Sequence, residues 1–205
     1  MFKVRIGDIT TLKTQCIVNA SNPTGLGCFT PNHPCIDNAI HKKAGLNLLK
    51  ECEKLGGIPY GEAKITQGYN LPAKYVIHAT GPKKEFDGYE DHELLEKTYI
   101  NILNLAQKKG IKEIAFCIIS SGMYGFDKER AIKTQVNTIR KWIKDQKAEK
   151  GIANVLPETI ILNAWTIEEF NLYEKYFNDR KLQFTIDKTS DLQNVHPLRK
   201  VMPSP

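Results

Sequence analysis

Two cysteines and a histidine fall within eight positions of one another, at Cys28, His33 and Cys35, and a carboxylate, Asp37, follows two residues after the second cysteine. Thiolate sulfur and imidazole nitrogen are the ligands zinc takes most often. Structural zinc sites close with four protein ligands, whereas catalytic ones keep three and leave a position open. The local count of three, with an acid/base group beside it, therefore points to chemistry rather than to a staple. Two blander readings stand next to it. Cys16, Cys52 or His41 would complete a closed structural site as a fourth ligand, and Asp37 would simply charge the first turn of a helix.

A second stretch with chemical content is Ser120-Ser121-Gly122-Met123-Tyr124-Gly125-Phe126. It follows an apolar run and precedes a helical one. Small residues there let consecutive backbone N–H groups turn toward an anion, and the following helix N-terminus adds a favourable dipole. It is not a Walker motif, because no Gly-Lys-Ser/Thr follows. An ordinary strand-to-helix turn would also use glycine.

The elements that must position these loops alternate. Residues 2–6 alternate like an edge strand, and Cys16-Ile17-Val18-Asn19 reads as a short buried strand before a Gly/Pro-rich loop from 22 to 34. Residues 35–54 carry an apolar stripe (Ile36, Ala39, Ile40, Ala44, Leu48, Leu49) at helical spacing and stop at Gly56-Gly57. Strands are expected at 63–66, 75–79, 113–119, 159–164 and 182–186, and helices at 90–109, 128–147 and 168–177. Strands alternating with helices imply an α/β domain whose sheet is covered on both faces. Ligands in such sheets bind beyond the carboxyl ends of the strands, which selects the loops after Asn19 and Ile119. Asn19 and Asn22 flank the first of these and suit turns without any function. By residue type Phe126, Phe170 and His78 are core residues, and His41, one helical turn after Asp37, reads as a buried, satisfied histidine.

The chain has 205 residues, 41% hydrophobic and 25% charged, the composition of a globular domain. No apolar run is long enough to span a membrane, and residues 1–5 lack the features of a signal peptide. Five widely spaced cysteines do not resemble a secreted disulfide framework, so a reducing, cytoplasmic setting is expected. The net charge of +6 and pI near 9.0 favour anionic partners, but no basic cluster is interleaved with aromatics as in a strand-stacking nucleic-acid surface.

In order, Gly7-Asp8-Ile9-Thr10, Ile17-Val18-Asn19-Ala20-Ser21-Asn22, residues 36–45 (IDNAIHKKAG), residues 68–82 (GYNLPAKYVIHATGP) and Ser120–Phe126 together resemble the macrodomains. The similarity runs over roughly residues 1 to 180 and its strength lies in five motifs in register. The insertion from Gly27 to Cys35 further resembles the zinc-containing subgroup; most macrodomains carry a glycine run there.

The resemblance implies a three-layer α/β/α macrodomain with a central mixed sheet over residues 1–187, a flexible tail over 188–205, and binding of ADP-ribose. It implies that Asp8 accepts from the adenine amino group and Ile9 offers its backbone N–H, that Phe170 stacks on adenine, and that Ser120, Ser121, Gly122, Met123, Tyr124, Gly125 and Phe126 enclose the diphosphate and distal ribose. Asn19 and Asn22 would lie on the substrate, Asn22 facing the distal ribose. Asp37, with Asn22, would be catalytic, and Cys28, His33 and Cys35 would hold Zn²⁺. The activity implied is zinc-dependent removal of mono-ADP-ribose from protein Asp/Glu side chains, with O-acetyl-ADP-ribose deacetylation as a related reaction. The expected partners are ADP-ribose and mono-ADP-ribosylated proteins, acted on by a monomer. A non-catalytic ADP-ribose reader is the alternative; it needs Asp8, Asn22 and the glycine loop but has no use for three metal ligands or Asp37. Asn32, where relatives often have cysteine, and Ser21, where alanine is usual, are departures that remove no proposed ligand.

Overall fold

A computed structural model describes residues 1–30, 33–151, 155–187 and 189–190. The described strands are β1 (Phe2–Ile6), β2 (Cys16–Ala20), β3 (Ala63–Gln67), β4 (Tyr75–Ala79), β5 (Glu113–Phe116), β6 (Thr159–Ala164) and β7 (Thr185–Ile186). The helices are α1 (Ile36–Ala44), α2 (Leu46–Leu55), α3 (His92–Lys108), α4 (Lys128–Lys150) and α5 (Ile167–Asp179). The strands form one sheet in the order β3-β4-β2-β5-β6-β1-β7. β3 runs antiparallel to β4, and the remaining pairs are parallel. The sheet is mixed, as expected.

Period-two alternation sorts the strand residues to two faces. Val4, Ile6, Cys16, Val18, Ile77, Ile114, Phe116, Ile160 and Leu162 point into one core, completed by apolar residues of α3, α4 and α5. Ile17, Val76, Ala115 and Ile161 point into a second, smaller core with Ile40, Ala44, Leu48 and Cys52 of α1 and α2. Helices thus cover both faces, and the architecture is the expected three-layer α/β/α sandwich.

Four expectations need correction. The stretch 35–54 is two helices, because Gly45 at φ +85 caps the first and starts the second; apolar spacing alone does not register a break of one residue. β1 is not an edge strand: β6 and the two-residue β7 flank it. β5 stops at Phe116, because the chain must leave the sheet to enter a turn at Ser120, whose φ is +68. The final strand covers only 185–186 of the expected 182–186. Of the expected flexible tail 188–205, Lys188 and residues 191–205 lie outside the described residues. Thr189 accepts from Arg5 Nε at 3.0 Å, and Ser190 Oγ accepts from Ile6 N at 3.4 Å, so these two residues lie against β1.

Candidate active site

The carboxyl ends of β2, β4, β5 and β6 open into one cleft of about 690 Å³, within the size range of small-molecule sites. The two loops selected from sequence both line it. From the first come Asn22, Cys28, His33, Cys35 and Asp37, and from the second Ser120 through Gly125.

Asp37 sits in the first turn of α1, 4% exposed. Asn19 Nδ2 donates to its Oδ1 at 2.7 Å and Asn22 Nδ2 approaches Oδ2 at 3.5 Å. Burial pushes its carboxyl up to about 6, and the Asn19 bond opposes that rise. A carboxyl poised near neutral pH can hold or release a proton under ordinary conditions. Asn22 is itself fixed: its Oδ1 accepts from Thr24 N at 3.1 Å, Thr24 Oγ1 at 2.6 Å and Gly25 N at 3.1 Å, while its Nδ2 also donates to Gly27 O at 3.1 Å. The sequence-predicted pair, Asn22 and Asp37, is therefore brought together.

The ligand atoms of Cys28, His33 and Cys35 all lie within 4.8 Å of one another, and all three residues are half-buried. Cys28 Sγ is 3.2 Å from His33 Nδ1. Cys35 also caps α1, its sulfur accepting from Asn38 N at 3.4 Å, and Asn38 Nδ2 ties back to Cys28 O at 2.6 Å. Two sulfurs and one imidazole nitrogen at this spacing fit a zinc ion, whose bonds to such ligands run about 2.0–2.3 Å. Burial is the main cause that pushes the Cys35 thiol up to about 12, and the adjacent Cys28 adds to it; a cation must displace that proton to gain the thiolate. Among the described residues neither Cys16, Cys52 nor His41 joins this group as a fourth ligand. Cys52 and His41 instead cluster with His78, beneath the cleft. The loop can lie over α1 because residue 27 is glycine. Its φ is +86, and a Cβ there would stand 2.6 Å from the His41 ring.

Across the cleft, Gly122, Met123 and Tyr124 have backbone N–H groups with no acceptor among the described residues, while the turn is closed by Gly125 N to Gly122 O (2.9 Å) and Phe126 N to Ser120 O (3.0 Å). Successive unpaired N–H groups lining a cleft at the entry to α4 make an anion nest. Burial pushes the Tyr124 phenol up to about 12, keeping it a neutral donor.

Other residues are placed differently from what the resemblance implies. Phe126 and Phe170 are 3% and 4% exposed and belong to the core; Phe126 packs against His92 at 5.2 Å. Neither is among the residues that line the cleft. The aromatic that does line it at the β6 end is Trp165, with Asn163 and Glu169 beside it. Asp8 caps the turn after β1, accepting from Thr10 N at 2.9 Å. Asp8 and the buried Ile9 adjoin the cleft through Asn163, whose Nδ2 donates to Gly7 O at 3.0 Å and whose Oδ1 accepts from Arg5 at 2.5 Å. Asn19 is fully buried and meets Asp37 rather than lining the cleft. His41 is buried as expected but not satisfied: neither ring nitrogen has a hydrogen-bond partner among the described residues. Trp165 and Asn163 had no motif around them; their one sequence signal is position at the carboxyl end of a strand.

Comparison with known proteins agrees with this geometry. Residues 18–135 match the Macro domain family. The chain is 39% identical over 181 residues to a "Protein-ADP-ribose hydrolase" of Staphylococcus aureus, covering 84% of this chain and 64% of that protein. It is 44% identical over 159 residues to one of Treponema medium, covering 74% and 61%. It thus spans less than two thirds of these hydrolases. A "Macro domain-containing protein" of Methanosarcina mazei is 43% identical over 162 residues, covering 78% of this chain and 80% of that one. Among solved structures, a Trypanosoma brucei macrodomain in complex with ADP-ribose superposes with a TM-score of 0.74 at 33% identity, covering 85% of this chain and 68% of that one. With more than half of its length matched and its sheet, helices and cleft arranged as described, the chain belongs to the Macro domain family.

Proposed function

We propose that this protein hydrolyses mono-ADP-ribose esters from protein Asp/Glu side chains, with Zn²⁺ held by Cys28, His33 and Cys35. The observation that carries the reading is Asp37: a buried carboxyl held toward neutrality by its surroundings, fixed by two asparagines, next to a three-ligand group in a cleft that also holds an anion nest. A reader module has no need of such a carboxyl. The names of the hydrolase relatives and the ADP-ribose-bound structure support the substrate class.

In this reading the N–H groups of Gly122 through Tyr124 bind the diphosphate, and Trp165, near the Asp8 turn, offers a flat face to the base. That arrangement directs the distal ribose toward Asn22 and Asp37. As the bond from the anomeric carbon to the ester oxygen breaks and the protein's Asp/Glu carboxylate leaves, the Asp37 carboxylate stabilises the positive charge developing there, and it then takes the proton of the water that adds to that carbon. Asn22 exchanges its long 3.5 Å contact to Asp37 for a ribose hydroxyl, which its Nδ2 then orients, and Asn19 fixes which Asp37 oxygen faces inward. Positioning and electrostatic aid of this kind each lower a barrier by several kcal/mol. Zinc bound by two thiolates and a neutral imidazole carries formal charge 2 − 2 + 0 = 0, so it would supply an open position that orients an oxygen ligand more than it acidifies one. O-acetyl-ADP-ribose is a related substrate, because it is an acyl ester of the same ribose.

The test is metal content and turnover together. Wild-type protein should hold one zinc per chain, lose turnover on removal and regain it on zinc addition, and Cys35→Ser should hold less zinc and turn over slowly. Full turnover in verified zinc-free protein would remove the metal from the proposal and leave Asp37.

A further inference from the structure

We infer that His78 is a positioning residue for Asp37, acting through the side-chain amide of Asn19. The inference rests on the proposed function for its consequence in turnover, but not for its geometry. Asn19 Nδ2 lies 2.7 Å from Asp37 Oδ1 and 3.1 Å from His78 Nδ1. His78 Nε2 lies 2.9 Å from Thr66 Oγ1 and 3.8 Å from Cys52 Sγ. Asn19 and His78 are fully buried and Thr66 is 2% exposed, so bulk solvent does not reach these groups.

The donors and acceptors leave one arrangement. An amide nitrogen carries two hydrogens. One goes to the Asp37 carboxylate oxygen, and the other meets His78 Nδ1, which must then present a lone pair. Burial, reinforced by the facing His41, holds the His78 ring neutral. Its one proton is therefore on Nε2, where the Thr66 hydroxyl accepts it.

The orientation of Asn19 has a cost that makes the tautomer matter. Among the described residues its Oδ1 is buried with no hydrogen-bond partner, and an unsatisfied buried acceptor costs about 1–3 kcal/mol. Rotating the amide would bring that oxygen against a carboxylate oxygen and a ring lone pair, both repulsive. With the proton on Nδ1 instead, the ring would repel the Asn19 N–H and draw the oxygen, and the amide hydrogens would turn away from Asp37. The Nε2–H tautomer thus holds Asn19 as a donor to the carboxylate.

Strand register builds this chain of contacts. Asn19 on β2 is paired with His78 on β4, and His78 is paired with Lys64 on β3, two residues before Thr66. All three side chains stand on the face covered by α1 and α2, which bring in Asp37, His41 and Cys52. A slip of one residue in any pair would turn one member to the opposite face.

Two substitutions separate the two ring nitrogens. In His78→Asn the side-chain oxygen can stand near the position of Nδ1 and accept from Asn19. In His78→Gln the amide reaches toward Thr66 and leaves Asn19 without an acceptor. With a protein carrying mono-ADP-ribose on glutamate as substrate, His78→Asn should keep kcat within about threefold of wild type. His78→Gln should lower it at least about tenfold with KM nearly unchanged, as expected for a lost bond that orients a charged group. Equal effects of the two substitutions on kcat would overturn the inference. The ¹⁵N resonances of His78 in the wild-type protein should show the Nε2–H tautomer, a signature that packing alone does not set. An Nδ1–H ring would overturn the inference even if neither variant folds. A wild type that releases no ADP-ribose would count against the proposed function instead, and the tautomer would still decide the orientation of Asn19.

Discussion

Acid should destabilise this protein through His41 and His78 well before its surface carboxylates protonate. Both rings are buried, at 3% and 0% exposure. Burial lowers His41 to about 4, and burial with the facing His41 lowers His78 to about 3, against an ordinary value near 6.5. A base whose folded pKa is depressed binds fewer protons folded than unfolded, so its contribution is complete above pH 6.5 and is lost as pH falls below it. Asp37, which faces His41 at 3.5 Å, works the other way. Its raised folded value, about 6, makes its burial least costly once it is protonated. Between pH 6.5 and 4.5 the two histidines together lose roughly 4 to 5 kcal/mol and Asp37 regains roughly 2, a net loss of roughly 3 kcal/mol. Urea unfolding at pH 7.0, 5.5 and 4.5 measures this directly. His41→Leu removes one of the two slopes, so the variant should gain on wild type by roughly 2 to 3 kcal/mol over the same interval. Parallel pH curves for variant and wild type would refute the reasoning, because they would mean that His41 takes up no proton on unfolding.

Asp37→Asn should lower ADP-ribose release at least about a hundredfold, the range for loss of a general base, while calorimetric affinity for ADP-ribose stays within a few-fold. Gly27→Ala should lower the melting temperature and turnover together, since a Cβ at φ +86 meets the His41 ring at 2.6 Å and the backbone conformation alone costs about 1–2 kcal/mol. Trp165→Ala should weaken ADP-ribose binding by roughly tenfold or more if it stacks on the base, a contact of about 1–3 kcal/mol. Phe170→Leu should instead reduce stability in urea and leave that affinity nearly unchanged, because Phe170 lies in the core.

Much of this arrangement was legible in the chain because its signals are local. Cys16 to Ala20 and Tyr75 to Ala79 announce buried strands by composition, and the loops that follow strands at the carboxyl edge carry Asp37 and the Ser120 turn. Cys28, His33 and Cys35 are close in sequence, so their convergence needs only one loop. The network beneath Asp37 is different. Asn19, Thr66 and His78 each look ordinary in their own strand, and only the pairing of β2 with β4 and of β4 with β3 makes them neighbours. His41 reads as a satisfied core histidine because helical spacing says that it is buried, not what its nitrogens meet. Residue type alone places Phe170 in the core, where it lies, but gives no signal for the aromatic that lines the β6 end of the cleft. Phe170 occupies an inward position of α5, whereas Trp165 precedes that helix at the strand's end, and one turn of helix decides which ring reaches the cleft. The break at Gly45 and the early end of β5 are single-residue backbone events that apolar spacing does not record.

The most direct test of the proposed hydrolase is the fate of ADP-ribose linked to glutamate or aspartate on a protein, followed by chromatography of the released nucleotide with wild type and Asp37→Asn in parallel. Free ADP-ribose accumulating over many turnovers with wild type, and hardly at all with Asp37→Asn, is the expected result. Tight binding of ADP-ribose by both proteins with no release by either would contradict the hydrolase and make this domain a reader.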